Sequence, residues 1–423
     1  MGAATLWPEK AGKPVATAEY TWPEFSMNAV GEIDFKSDND AFTLVSRQGR
    51  WRVDLPNRDT DPLADKEKIV SLVEFVRLNK PKNRLDGIEN AAKYGLESPR
   101  ARIRFNDKAT ILLGSDEPAG SGVYAFLKGE SEVLLLPNEY VQKLMRKPRY
   151  FFDMSLFKIR EENVRSVSLE SVNGEDWKIS IGKEKYEFAA PEDKIGQPVS
   201  VQEADLFLHT LLTAKATDLL FSEPPGPLDE LVAITISSEG DSETLSVSAA
   251  GEGLVGRSDH QPLPFKLDPE LRAKLVKSAF SMTDRRILSL DLGKITRLKL
   301  SGGERELLAE RVDNLWQLGG EESKELLGID MNLWRLTDLK YESSPSEVRP
   351  ESARHALTLT LRGKKDEPVE KLEFYTDPEL PEGLAWIAIS NDDAYYPVSA
   401  RLYEDLAGLL PPAEAEGRKE KQD

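Results

Sequence analysis

Cysteine is absent from the 423 residues. That excludes disulfides, thiol catalysis and cysteine-based zinc or iron–sulfur centres. Histidine is nearly absent too, at three residues, His209, His260 and His355. None has a second histidine at HxH or HxxxH spacing, so no histidine metal motif is present. No apolar run reaches the roughly 20 residues that span a bilayer, and no secretory leader pattern stands at the start. Positive charge is in deficit. Lysine and arginine number 56 against 74 acidic residues, a formal net charge of −18. A polyanion such as nucleic acid is repelled by that balance unless a basic patch is concentrated somewhere. The best basic run, Lys143 to Arg149, falls at an expected helix end, where positive charge offsets the helix dipole. The expectation is no nucleic-acid partner.

What is present is repetition. Short strands, a helix, more strands and a second helix recur about every 130 residues, longer than usual solenoid periods. The first copy opens with Val30, Ile33 and Phe35 at strand spacing, then Phe42 to Val45, then Trp51-Arg52-Val53 after a Gln48-Gly49-Arg50 turn. The second opens with Val164, Val167 and Leu169, then Trp177 and Ile179, then Tyr186 and Phe188. The third opens with Ile295, Leu298 and Leu300, then Arg305 to Leu308, then Leu315 to Leu318. An aromatic leads or centres each third strand: Trp51, Tyr186, Trp316. Helices follow, with Ile69, Leu72, Val73 and Val76, then Ala204, Phe207, Leu208 and Leu211, on one buried stripe. Ser200 and Glu203 form a capping-box pattern. Leu333, Leu336 and Leu339 form a weaker stripe after Asp330.

Further strand pairs follow, each joined by a short turn. They are Ala101 to Phe105 with Thr110 to Leu113, Leu231 to Ile236 with Thr244 to Val247, and Ala356 to Leu361 with Val369 to Tyr375. A hairpin comes after each, and a closing helix around Leu144, Leu275 and Leu406. Asp268-Pro269 reads as a cap and first-turn pair. Hairpin-linked strands without βαβ alternation predict antiparallel sheets. The expected fold is α+β, three tandem repeats, each a mainly antiparallel sheet with two helices packed on one face. The expected boundaries are a linker at 1–25, modules at 26–157, 158–288 and 289–410, and a disordered polar tail at 411–423.

No constellation of reactive residues emerges. Ser258-Asp259-His260 places triad letters in a row, but consecutive residues cannot converge as nucleophile, base and orienter. His209 lies four residues after Asp205, a surface helix pair. Asp59, Asp61 and Asp65, and Asn391, Asp392 and Asp393, lack the glycine and terminal glutamate of a calcium loop. Gly120 with Gly122, and Gly251 with Gly253, read as hairpin glycines rather than phosphate cradles. Nothing among the acids selects a catalytic pair, and the tryptophans fit core packing better than sugar stacking. Asp153 and Asp284-Arg285 recur just after closing helices, where caps or ion pairs between copies fit best. The expectation is therefore no catalytic residue, no cofactor and no metal.

The order of elements resembles a bacterial family, domain of unknown function 4340. The likeness is carried by Gly49-Arg50-Trp51-Arg52-Val53, the helix Lys68 to Leu78, and Tyr94-Gly95-Leu96-Glu97-Ser98-Pro99. Leu112-Leu113-Gly114, Val123-Tyr124-Ala125 and Val133-Leu134-Leu135 complete it. It covers the first copy well, the second partly and the third by pattern. The resemblance implies an N-terminal membrane helix, here removed, and repeats placed outside the cytoplasm, on the periplasmic side. It also implies an association with ABC-type transporters, including those of gliding motility, and supplies no catalytic residue. The functional expectation is a non-enzymatic accessory or scaffold, an elongated or curved array meeting membrane transporter subunits by protein–protein contact. The alternative is a lipid- or glycan-binding module using a groove between repeats.

Overall fold

The computed structural model describes residues 22, 27–81, 83–85, 88–182, 185–224, 226–313, 315–319 and 326–412. The expected linker and tail lie outside these residues, apart from Trp22, Pro411 and Pro412. The chain is α+β, with three antiparallel sheets. It divides into two compact units, Met1–Met282 and Thr283–Asp423. The first unit holds two of the sheets and the second holds one.

The first sheet is built from β1 (Glu32–Ser37), β2 (Ala41–Arg47) and β3 (Arg50–Asp54), then, after helix α1 (Lys66–Leu78), β4 (Asn83–Leu85). β5 (Ala101–Phe105), β6 (Ala109–Asp116), β7 (Gly122–Leu127), β8 (Val133–Pro137) and helix α2 (Asn138–Leu144) complete it. Its strand order is β3-β2-β1-β5-β6-β7-β8-β4. Alternation decides its inner face: Ile33, Phe35, Phe42, Leu44, Trp51, Val53, Ile103 and Phe105 are all buried. Helix α1 buries Ile69, Leu72, Val73 and Val76, the stripe read from the sequence. Asp65 caps it, accepting from the N–H groups of Glu67 and Lys68 that have no intrahelical partner. Gln48 and Gly49 both adopt positive φ (52° and 78°), the turn that matches the twist of a two-residue hairpin. Trp22 falls in the expected linker, yet it is buried and its Nε1 donates to the Val76 carbonyl at 2.6 Å. The linker expectation does not extend to it.

The second sheet comprises β9 (Ser166–Ser171), β10 (Trp177–Ile181), β11 (Tyr186–Ala190), helix α3 (Val201–Thr213), β12 (Asp218–Leu219) and β13 (Asp229–Ser237). β14 (Ser242–Ala250), β15 (Gly253–Ser258) and β16 (Phe265–Leu267) follow, then short helices α4 (Arg272–Leu275) and α5 (Ala279–Met282). The order is β11-β10-β9-β13-β14-β15-β16-β12. Where one closing helix was expected around Leu275, two one-turn helices stand. The buried aromatic is Trp177 on β10, with its Nε1 on the Lys277 carbonyl at 2.8 Å. Tyr186, aligned in the sequence with Trp51, is only half-buried and donates to Asp205. The capping box at α3 is one-sided. Ser200 accepts from Glu203 N–H, but its own N–H donates to the Met282 carbonyl.

The third sheet comprises β17 (Arg297–Gly302), β18 (Arg305–Val312) and β19 (Leu315–Leu318), helix α6 (Ile329–Thr337), β20 (Arg354–Arg362), β21 (Pro368–Thr376), β22 (Leu384–Ile389), β23 (Tyr395–Ser399) and helix α7 (Ala400–Ala407). Its order is β19-β18-β17-β20-β21-β22-β23. An isolated bridge from Ser346 to Tyr395 pairs with β23, on the side where β4 and β12 pair in the other sheets. Trp316 is buried and donates to Asp330 in the first turn of α6 at 2.9 Å. This unit has its own core, including Leu300, Leu333, Leu336, Leu359, Phe374 and Leu402.

Candidate functional site

The first two sheets share one continuous core, and the chain between them explains how. After α2 come Phe151, Phe152, Leu156 and Phe157, all buried. Asp65 N–H donates to the Phe151 carbonyl, and Asp153 N–H donates to the Leu63 carbonyl. A few residues on, Ala216 N–H donates to the Met154 carbonyl, and Ser155 bridges Lys215. The connection is therefore bonded to both sheets within five residues.

Asp153 is the polar centre of this junction. Its side chain is 4% exposed. Oδ1 accepts from Ser155 N–H at 3.0 Å. Oδ2 accepts from His260 Nε2 at 3.1 Å and from Lys158 Nζ at 2.7 Å. Burial by itself pushes this carboxyl upward. The His260 and Lys158 bonds, the Ser155 N–H and the Lys158 charge outweigh it and hold the group far below the usual carboxylate range. Gln261 completes the network. Its Nε2 donates to the Asp153 carbonyl at 3.0 Å, and its Oε1 accepts from Leu63 N–H at 3.1 Å. One buried amide thus serves a donor near the first sheet and an acceptor on the connection. Arg149 adds a surface link, with Nη2 on the Thr217 carbonyl at 2.7 Å and Nε on Asp218 at 3.3 Å.

A cleft of about 570 Å³ opens at this junction. The first sheet contributes Arg50, Trp51, Leu63, Ala64 and Lys66. The connection contributes Asp153, Lys158 and Arg160, and the second sheet contributes Asp241, Glu243, Asp259 and His260. Trp51 is the one aromatic ring in this lining apart from the His260 imidazole. The remaining surface is dominated by charged and hydrogen-bonding groups.

The reading of Asp153 as a cap and ion-pair residue is what the geometry shows. Asp284 behaves alike inside the second unit. Its Oδ1 accepts from Arg286 N–H at 3.4 Å, and its carboxylate pairs with the Arg286 guanidinium at 2.7 Å. Arg285 donates to the Tyr341 carbonyl at 2.8 Å and to Glu342. The three letters of Ser258-Asp259-His260 diverge. Ser258 Oγ accepts from Gln261 N–H, Asp259 accepts from Thr244 N–H, and His260 turns to Asp153. Asp205 accepts the Tyr186 hydroxyl at 2.9 Å, rather than His209. Burial, with Asp205 beside it, pushes the Tyr186 phenol up to about 12. His355 faces Thr358 at 2.8 Å.

The other candidates are not brought together. Asp61 pairs with Arg47, and Asp65 caps α1. Asp392 accepts from Tyr396 and from Ala394 N–H. Among the described residues, no group of three His, Asp or Glu side chains is placed to hold a metal ion. Trp22, Trp51, Trp177 and Trp316 are core residues, but Trp334 is 64% exposed on α6, against the packing expectation. Nothing in the sequence marks Gln261 apart from its neighbour His260.

The Tyr94-Gly95-Leu96 signature has a structural role. Leu96 is buried with Phe126 and Val133, and Tyr94 meets Tyr124 edge-on at 4.7 Å. Gly95 has φ +70°, and a side chain there would lie 2.8 Å from Ser115 N. A side chain at Gly114 would overlap the Tyr94 carbonyl oxygen. The two glycines let this segment cross β6 in contact.

No curated protein matches the chain. Among solved structures, a DNA polymerase sliding clamp from Pseudomonas aeruginosa is 8% identical, with 89% of this chain and 93% of that chain covered and a TM-score of 0.16. A putative DNA polymerase III beta subunit from Eubacterium rectale is 9% identical, with the same coverage and a TM-score of 0.16. Likeness at this level carries no argument about function. No helix among the described residues is long and apolar enough to cross a membrane, which leaves strand-built spans unaddressed. The sequence signatures have a firmer counterpart: over residues 51–231 this chain matches the model of the family described as Domain of unknown function (DUF4340), and it resembles that family there.

Proposed function

We propose that the chain is an extracytoplasmic, membrane-anchored accessory of an ABC-type transporter complex, built from three copies of one sheet-and-helix unit and acting by contact. The observation that carries the reading is the strand order. Each sheet runs third, second, first and then through four strands joined in sequence, and in the first two sheets the short fourth strand closes the far edge. The detail repeats as well. The helix-capping residues Asp65 and Ser200 each donate a backbone N–H to the residue two before the junction aspartate or its counterpart, Phe151 or Met282. Asp153 and Asp284 each cap the N–H two residues on. A repeated unit serves a docking role because each copy presents edge strands and a solvated sheet face to a partner.

The test is in-cell photo-crosslinking from sites on β3, β11 and β19, with the chain carried behind an N-terminal membrane helix. The reading expects defined crosslinks to permease or ATPase subunits of an ABC transporter. Crosslinks to other proteins alone, or to none, overturn it. A second reading, a binding module with a groove between repeats, is favoured by the cleft of about 570 Å³ between the first two sheets. That volume lies within the roughly 300–1,000 Å³ common to ligand sites.

A further inference from the structure

The cleft is lined by charges of both signs. Arg50, opening β3, and Lys66, opening α1, come from the side of the first sheet, and Asp241, Glu243 and Asp259 from the side of the second; the connection adds Lys158, already paired with Asp153, and Arg160, 3.8 Å from Glu162. Among the described residues, no ion pair joins Arg50 or Lys66 to any of those acids. The carboxylates are held by backbone donors: Asp241 by Ser242 N–H at 3.0 Å, Glu243 by Lys158 N–H at 2.6 Å, and Asp259 by Thr244 N–H at 3.0 Å. Each bond uses one oxygen and leaves the other. Between the charged sides, Trp51, Leu63 and Ala64 supply apolar surface, and Asn163, Ser238 and Ser242 supply hydrogen-bonding groups.

This arrangement selects among ligands. A polyanion meets three carboxylates beside Arg50 and Lys66. A lipid tail would strip water from charged groups without replacing it. A neutral glycan would leave both charged sides unpaired. A molecule with an anionic end and an ammonium end satisfies both sides at once, and a peptide backbone adds donors and acceptors between them.

We propose that the cleft between the first two sheets binds a short peptide with free termini, its carboxylate on Arg50 and Lys66 and its ammonium among Asp241, Glu243 and Asp259. The assignment rests on the groove reading and names its ligand class. The central aspartate stays outside the ligand contacts, because His260 and Lys158 already occupy it.

The test is calorimetric titration of the full chain at low salt with trialanine, N-acetyl-trialanine, trialanine amide and chitotriose. Saturable binding of trialanine is expected, and blocking either terminus should weaken it by at least about tenfold, roughly 1.4 kcal/mol. The double variant Arg50→Gln, Lys66→Gln should lose the preference for a free carboxylate and keep that for a free amine. Asp241→Asn, in an exposed hairpin, should reduce the preference for the amine and keep that for the carboxylate. Equal binding of the blocked peptides overturns the proposal. Binding of chitotriose without trialanine overturns the peptide assignment and leaves a groove. Binding of neither at millimolar concentration overturns both.

Discussion

At the scale of single residues, three buried polar side chains, Asp153, His260 and Gln261, hold the first two sheets together. Gln261 is the clearest case, because both of its amide atoms are bonded and it is 3% exposed. Gln261→Ala would strand Leu63 N–H and the Asp153 carbonyl, each an unmade bond worth about 1–3 kcal/mol. Chemical denaturation should show a loss of about 2–4 kcal/mol in the first unit. Asp153 acts through charge as well. Its carboxyl ionises at lower pH in the folded chain than in the unfolded chain, whose value is about 3.9. It therefore stabilises above that value, and the contribution is lost as pH falls through the folded value. Melting temperature measured downward from about pH 4 should fall steeply for the parent and less steeply for Asp153→Asn. Gly114→Ala tests backbone packing. The added methyl meets the Tyr94 carbonyl, and a cost of about 2–3 kcal/mol is expected by thermal unfolding. The sequence marks Asp153 as a cap or ion-pair residue through its place just after a closing helix, and its bonds to Ser155, Lys158 and His260 are of that kind. It does not mark Gln261, because the partners of that amide are backbone atoms of segments far away in the chain.

At the scale of elements, the sequence was most readable where one periodic pattern extends over several residues. Helix α1 shows its buried stripe because four apolar residues fall at i, i+3, i+4 and i+7. The long strands of each sheet alternate for the same kind of reason. β4 and β12 were missed because three and two residues cannot show a period. They exist through tertiary pairing with β8 and β16. The closing helix expected around Leu275 is two one-turn helices, α4 and α5, which bury Leu275, Ala279 and Met282. Caps were legible only in part. Ser200 caps α3 as expected, whereas Asp65, expected only as a loop aspartate, caps α1. The return arm of the Ser200 box is replaced by a bond that sequence-local reasoning cannot see. Asp65→Ala and Ser200→Ala should each cost about 1 kcal/mol. Hydrogen exchange should show the loss as faster exchange in the first turns of α1 and α3.

At the scale of the whole molecule, two sheets share a core and the third stands in a unit of its own. The expected three modules and the two compact units are different partitions of one chain. The modules are expected from a recurring sequence pattern, whereas the units depend on whether cores merge. They merge between the first two sheets because Phe151 packs on Phe35 and Phe42 of the first sheet while Phe152 meets Phe221 next to the second. Residues 283–412 expressed alone should fold cooperatively, with a melt monitored by circular dichroism. Residues 27–157 alone should melt lower or fail to fold, since cutting the shared core exposes apolar surface. The proposed contact between the sheets and a transporter has a direct readout. Hydrogen–deuterium exchange of the anchored chain, with and without transporter-containing membranes, tests it most directly. Protection on binding is predicted along the edge strands β3, β11 and β19, at sites far apart in sequence. An exchange profile unchanged by the transporter would contradict the claim.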